Sequence, residues 1–340
     1  MLIDAVFSLK NLFEMKKTIL ILSFFIVFIA CKKAPNDDTS GLRESAGRIN
    51  TLSIITENNL WNGALGDSIR SKFASPVDGL PQQEPLFTLK QYTPELFNGF
   101  ISTTRIALII GKTNTNVFEI RINELAQPQT TVHIGGTSIE ETIKILEKNY
   151  PKVIEAFKKQ ELEENQRRIQ KSLLNVDKIK KKFGVNVKIP DAYKYIIEKD
   201  KFMWIRKETH SGNASLMIYE VPIALLKNEN DVIQNIVQMR DTIGKNIEGT
   251  LPNTHMITEA AYAPYLFEIQ LKGKPTFETK GTWELKNDFM GGPFINYAIL
   301  DEVNNRYLVL EGFCYNPSTS KRDLMFELEA IIKSVQFLKK

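Results

Sequence analysis

Two cysteines and three histidines in 340 residues leave this chain short of the side chains that most often carry chemistry. Two Cys cannot build a disulfide framework, and His133, His210 and His255 stand far apart without metal-ligand spacing. No G-x-S-x-G elbow, P-loop, H-E-x-x-H or C-x-x-C occurs, so the common hydrolase, nucleotide, zinc-protease and thiol-redox signatures are missing. An excess of one charge is missing too: Lys+Arg total 44 against Asp+Glu 40, a net charge of +4, too even to imply a nucleic-acid partner. What remains is ordinary globular material, 43% hydrophobic and 25% charged, long enough for about two domains. No cofactor and no metal is expected from these residues.

The long apolar runs of a polytopic membrane protein are also absent. The one apolar stretch of note, Ile19–Ala30 (ILILSFFIVFIA), spans about 18 Å as a helix, too short for a hydrocarbon core of about 30 Å. It follows Met15-Lys16-Lys17 and ends with the small Ala30 directly before Cys31. A basic start, a short apolar run and a small residue form a secretory leader. Ile29-Ala30-Cys31 resembles a bacterial lipobox, in which cleavage precedes the cysteine and its thiol carries diacylglycerol; Phe28 replaces the usual Leu or Val. Residues 1–14 lie upstream of this complete leader and are read as preceding the true start at Met15. Residues 15–30 are then the signal peptide, and residues 31–48 (CKKAPNDDTSGLRESAGR) a tether too polar to bury a core. Acylation of Cys31 makes the membrane the first partner, with the outer membrane and its periplasmic face as the expected location. Lys32 and Lys33 follow the cysteine where surface-export signals place acidic residues.

Beyond the tether, the pattern predicts an α+β protein. Residues 49–137 read as a small α/β unit. Strands are expected at 50–56, 86–92, 105–110, 117–122 and 130–134, a helix over 58–73 weakened by Gly63 and Gly66, and a short helix around 94–100. Residues 138–182 read as a helical connector. Ser138 with Glu141 makes a capping box, and Ile139, Ile143, Leu146, Tyr150, Val153 and Phe157 share one face. Pro151 is expected to kink this tract or start a second helix. From Lys158 the tract turns polar (KKQELEENQRRIQKS) and reads as a solvated spacer, followed by a basic surface run at Lys178 and Lys180–Lys182. Residues 183–340 read as a mostly antiparallel sheet of about nine strands covered by two helices, the last carrying Leu324, Leu328, Ile331, Ile332 and Val335. The chain is expected to divide near residues 175–183, each side having apolar patterns sufficient for its own core.

Catalytic residues are not assigned. Gly135–Gly136 before Ser138 offers amides at a helix start, but an ordinary turn is favoured. In the second half, aromatic and charged residues interleave, and Trp204, Arg206, Glu259, Tyr262, Trp283, Asp288 and Tyr297 form a candidate cleft. FASPVDGLPQQEPLF (73–87), KFMWIRKE (201–208), MITEAAYAPYLFE (256–268), TKGTWELKNDFMGGPFINYAI (279–299) and NNRYLVLEGFCYNPSTSKRDLMFELEAIIKSV (304–335) carry a family likeness. Through them the chain from Ile49 to Phe337 resembles a Bacteroidota lipoprotein family known as domain of unknown function 4837. That resemblance implies a lipid-anchored envelope protein and brings no catalytic residues with it. The second half is also similar, by element order alone, to the PsbP-like α/β sandwich. The leading reading is a non-enzymatic module that binds or supports an envelope protein or glycan. The alternative is a periplasmic enzyme acting on envelope glycan or lipid through carboxylates of the second half, Glu259, Glu268 and Asp288.

Cysteine arithmetic yields a direct test. With Cys31 acylated, Cys314 has no partner in the chain, so the mature monomer should migrate identically on reducing and non-reducing gels. A faster non-reduced band would show a Cys31–Cys314 disulfide and remove the anchor.

Overall fold

A computed structural model describes residues 41–226 and 231–338; the leader and Cys31 lie outside the described residues. The first half holds β1 (Arg43–Glu44), β2 (Thr51–Ile55), α1 (Asn58–Trp61), α2 (Ala64–Phe73), β3 (Thr88–Tyr92), β4 (Ile106–Lys112), β5 (Val117–Ile122), β6 (Ala126–Gln127) and β7 (Thr130–Gly136). Five strands form a sheet in the order β3-β2-β4-β7-β5, in which β3, β2, β4 and β7 run parallel and β5 antiparallel at the edge. Parallel neighbours require crossovers. α2 supplies the first and buries Leu65, Ile69 and Phe73, spaced at four residues, against Leu52, Ile54 and Leu108 of the sheet. The helix expected over 58–73 is therefore two pieces, separated at Asn62–Gly63, and the one expected around 94–100 reduces to two 3-10 turns at Pro94–Leu96 and Ile101–Thr103.

α3 (Ile139–Ile169) leaves β7 at once. Ser138 Oγ accepts from the Glu141 amide at 3.2 Å, as the capping pattern requires. Gly136 is needed for contact: a Cβ there would stand 2.4 Å from the Thr142 nitrogen. The helix runs through Pro151 without interruption, so the second helix that was one of the two expected outcomes does not start there. Leu146 before the proline and Val153 and Phe157 after it are all buried in one core, and that packing outweighs the missing hydrogen bond.

The second correction concerns the polar half of α3. Gln160, Glu161, Glu164 and Asn165 are buried, whereas a solvated spacer was expected. Arg105, 2% exposed at the start of β4, explains it: its guanidinium meets both oxygens of Glu161, with Nε–Oε1 at 2.7 Å, and approaches Glu164 at 3.9 Å. Charged residues leave water when their partners are already in place, and helical periodicity alone does not reveal a partner 56 residues away.

The second half adds α4 (Asp177–Phe183), β8 (Val185–Asn186), β9 (Lys194–Lys199), β10 (Phe202–Thr209), β11 (Gly212–Pro222), α5 (Val232–Gly244), β12 (Met256–Thr258), β13 (Tyr265–Leu271), β14 (Lys274–Leu285), β15 (Gly291–Asp301), β16 (Arg306–Tyr315), α6 (Arg322–Lys333) and β17 (Gln336–Phe337). Eight of its strands form an antiparallel sheet in the order β12-β14-β15-β16-β11-β10-β9, with β13 also on β14. Both faces are covered. Leu328, Ile331 and Ile332 of α6 pack on one, joined by Ile179 and Phe183 of α4 and Ile169 of α3. Ile236 and Met239 of α5 pack on the other. The fold class is α+β, and the basic run at 178–182 is a short helix with a buried apolar face.

From Arg43 onward these parts form one compact unit, with α3 feeding both cores: Phe157 lies in the first, Leu162 and Ile169 in the second. Polar contacts cross between the halves. The Glu84 carboxylate accepts from the amides of Lys321 (2.6 Å) and Arg322 (3.0 Å) and so caps α6 from the other half of the chain. The Asn50 amide donates to Glu161 at 2.6 Å, and its side chain donates to Asp323 of α6 at 3.1 Å.

Glu161→Gln should cost about 3–5 kcal/mol, because it leaves the Arg105 charge buried without its counter-charge. Urea denaturation at neutral pH measures it; a loss below about 1 kcal/mol would mean that water solvates the site.

Candidate functional site

Parallel sheets place ligand sites beyond the carboxyl ends of their strands, where the chain leaves neighbouring strands in opposite directions. Here that point lies between β2, which continues to β3 on one side, and β4 on the other. A crevice of about 670 Å³ occupies it. Ile55 and Thr56 follow β2 into it, Ile109–Thr113 close β4, Ile134–Gly135 close β7, and Leu60 and Ile139 come from the first turns of α1 and α3. Its aliphatic residues are joined by seven polar ones, Thr56, Glu57, Asn59, Lys112, Thr113, Arg121 and His133.

Two features set this crevice apart from a packing fault. Thr56 is 1% exposed, yet its Oγ1 has no hydrogen-bond partner among the described residues. Its backbone groups are satisfied, the amide by Tyr92 O and the carbonyl by Gln91 Nε2, so the orphaned atom is the hydroxyl alone. A buried hydroxyl without a partner costs about 1–3 kcal/mol, a debt that a bound molecule removes. The second feature is His133, on the face of β7 away from the helices. Its Nε2 sits 2.8 Å from Glu124, which also accepts from Thr131 Oγ1 (2.6 Å) and Arg121 (2.5 Å). Burial alone would raise the Glu124 pKa, but these three hydrogen bonds pull it down to about 2. Ionised at neutral pH, Glu124 fixes the orientation of the His133 ring at the crevice wall.

Sequence reasoning singled out neither Thr56 nor Glu124. It read His133 as a satisfied or exposed histidine, and the Glu124 bond satisfies one ring nitrogen. Gly135–Gly136 does not act as an anion cradle: the Thr137 amide is held by Asn116 at 3.3 Å and the Glu141 and Thr142 amides by Ser138. Among the described residues no group of three or more His, Cys, Asp or Glu is placed to hold a metal ion.

The seven candidate cleft residues do not converge. Trp204 and Trp283 lie in the core under α5, with Trp283 Nε1 donating to Cys314 O at 3.3 Å and Trp204 Nε1 unpartnered. Tyr297 points to the opposite face of the sheet, where its hydroxyl reaches Glu329 at 3.4 Å. Arg206 pairs with Glu208 at 2.7 Å and lies 5.4 Å over Trp204. Glu259 follows β12, Tyr262 is 68% exposed, and Asp288 accepts from the Phe289 amide within its own turn. Alternation puts odd and even positions of a strand on opposite faces, so a string of interleaved aromatics cannot form one wall. The carboxylates of the enzyme reading are also dispersed. Glu268 pairs with Phe277, whereas Glu259 binds beside Thr282 and Asp288 beside Leu285, about 15 and 25 Å further along β14 at strand rise.

A family model described as domain of unknown function 4837 matches residues 172–334, and another described as domain of unknown function 8532 matches residues 45–170. The resemblance carried by the sequence strings thus holds for the second half, while the first half is matched by a different family model. No curated protein matches the chain. Among solved structures, the Saccharomyces cerevisiae Ran-binding protein Mog1p is similar over 46% of this chain and 91% of its own, at 9% identity and a TM-score of 0.29. LpqN of Mycobacterium tuberculosis, described as involved in cell envelope biogenesis, covers 46% of this chain and 83% of its own at 12% identity and a TM-score of 0.28. Human StAR-related lipid transfer protein 5 covers 51% and 94% at 9% identity and a TM-score of 0.24. Scores this low carry no argument about this chain.

The Glu124 pair predicts an acid response. A carboxylate whose pKa falls on folding, from 4.5 to about 2, stabilises fully above pH 4.5 and loses that contribution as the pH drops toward 2. The melting temperature of the wild type should therefore fall more steeply across this window than that of Glu124→Gln. Parallel curves would show that Glu124 is solvated rather than held.

Proposed function

We propose, for a chain that carries a domain of unknown function 8532 followed by one of unknown function 4837, that it is a lipid-anchored envelope protein binding a small ligand without transforming it. The binding site is the crevice at the carboxyl end of the five-stranded sheet. The observation that carries this reading is the crevice itself at that sheet end, with the buried and unpartnered Thr56 among its lining residues. The ligand chemistry follows from the lining: an aliphatic body against Ile55, Ile109 and Ile134, and a polar or anionic head toward Thr56, Lys112 and His133. An envelope glycan or protein presenting such a group is the partner class. The crevice lining contains no Ser or Cys nucleophile, and Glu268 stands about 15 Å or more along β14 from where Glu259 and Asp288 bind, which supports binding over catalysis by these three carboxylates. In this reading the acyl chains on Cys31 supply the membrane attachment; among the described residues no helix is long and apolar enough to cross a membrane.

Two measurements test the two parts. Cys31→Ala should move the protein from the membrane fraction to the soluble one, and sedimentation with membranes after a high-salt wash would refute the anchor. Ligand-observed NMR against a library of small aliphatic and aromatic acids and alcohols should give hits that both Thr56→Val and His133→Ala weaken. Hits unaffected by either substitution, or none at all, would refute the crevice as the site.

A further inference from the structure

Lysine is not spread evenly along the chain. Residues 171–199 hold eight lysines against Asp177, Asp191 and Glu198, a net charge of +5 in 29 residues. The rest of the chain, with 36 basic and 37 acidic residues, is close to neutral. This basic segment comprises the exit from α3, the short helix α4 and the edge strand β9.

Helical spacing divides α4 into two sides. Ile179 and Phe183 are buried in the second core, which turns Lys178, Lys181 and Lys182 away from it at steps of three and four residues. Lys178 reaches Glu198 of β9 at 2.5 Å and lies 5.2 Å over the Tyr195 ring, and Lys182 donates to the Lys199 carbonyl. Helix and strand edge therefore share one basic surface. Its acids are too few to neutralise it: Asp177 is taken by Lys180 at 3.1 Å and Glu198 by Lys178. Lys182 and Lys199 rest on uncharged oxygens, those of Lys199 and Asn246, and Lys181 has no partner among the described residues. Two aliphatic side chains stand out beside these lysines. Leu173 is 40% exposed and Ile196 42%, and their neighbours Asn175 and Tyr195 are joined by a 2.8 Å hydrogen bond.

The chain from Cys31 enters the fold at the same end. Glu44 pairs with Arg167 at 3.1 Å, and the Gly47 carbonyl accepts from Arg168 at 3.0 Å, in the last turn of α3 and nine residues before α4 opens. Twelve residues separate Cys31 from Arg43 and span at most about 42 Å. Acyl chains on Cys31 therefore keep this end of the domain within that distance of the bilayer. We infer that the α4–β9 face docks on a bilayer surface of anionic phospholipid, with Lys178, Lys181, Lys182 and Lys199 among the headgroups and Leu173 and Ile196 beside them. Each lysine near such a surface raises affinity about fivefold, an effect confined to a Debye length of about 10 Å. The orientation rests on the lipid-anchor reading, whereas the basic face does not, and it shares no residue with the crevice at the sheet end.

Vesicle co-sedimentation of residues 32–340 tests the face without any acyl chain, so its outcome is independent of the Cys31 fractionation. Vesicles of equimolar phosphatidylcholine and phosphatidylglycerol should bind the protein at least about tenfold more tightly than phosphatidylcholine alone. Raising the salt from about 0.1 M to about 1 M should abolish that binding. The triple variant Lys178→Gln, Lys181→Gln, Lys182→Gln should lose about tenfold or more while keeping its cooperative melt. A control with the same charge change on exposed α3 positions, Lys144→Gln, Lys148→Gln, Lys152→Gln, should stay within about twofold of the wild type. Equal binding to both vesicles, or equal losses in the two triple variants, would overturn the face. No binding to the anionic vesicles would overturn the bilayer as its partner, and Lys178-dependent capture by polyglutamate would then assign the face to an acidic protein.

Discussion

The structure hangs on the buried charge at the middle of α3. Glu161 has Arg105, just before β4, on its oxygens and also accepts the amide of Asn50, the residue that precedes β2. The pair joins helix, sheet and chain entry at a point from which water is excluded, so neither partner can be displaced without stranding the other. Asn50 adopts a left-handed conformation, φ 56°, and its side chain then reaches Asp323 at the start of α6. One residue thereby ties the first sheet, the long helix and the last helix together. The second core has its own counterpart. Arg240 of α5 meets Glu311 of β16 at 2.7 Å and stacks 3.3 Å over Phe294, with Tyr219 and Asn296 completing the network.

Two concavities arise from this arrangement. The crevice exists because β2 and β4 send the chain in opposite directions at their carboxyl ends, which leaves a gap no loop fills. The groove between α3 and α6 exists because α3 is too long to belong to one half: about 46 Å at helical rise, it leaves the first core after Phe157 and enters the second at Leu162. Lys158 sits at that transition. Neither concavity uses the interleaved aromatics of the second half, whose two faces pack under different helices.

Much of the architecture was legible in the residues. Period-two alternation located the long strands of the second half, and the Ser138/Glu141 pattern located the start of α3 to the residue. Two local rules misled because tertiary packing overrode them. Pro151 does not break α3, since Leu146, Val153 and Phe157 hold both flanking turns in one core. One side of the polar stretch after Lys158 is buried, since Arg105 neutralises Glu161 and approaches Glu164 from another element. The candidate site was less legible, because Thr56 and the Glu124–His133 pair are unremarkable in sequence and acquire meaning only from what surrounds them.

Sequence by itself determined the α+β class, the strand-rich second half and the lipobox-like Ile29-Ala30-Cys31, because periodicity and short motifs are properties of neighbours along the chain. Tertiary structure alone decided which charges are buried and which buried hydroxyls, Thr56 among them, lack a partner. Those depend on residues brought together from 56 to more than 200 positions apart, such as Arg105 with Glu161 and Glu84 with Lys321. Desolvation acts on whatever ends up adjacent in space, and a linear pattern does not record adjacency in space.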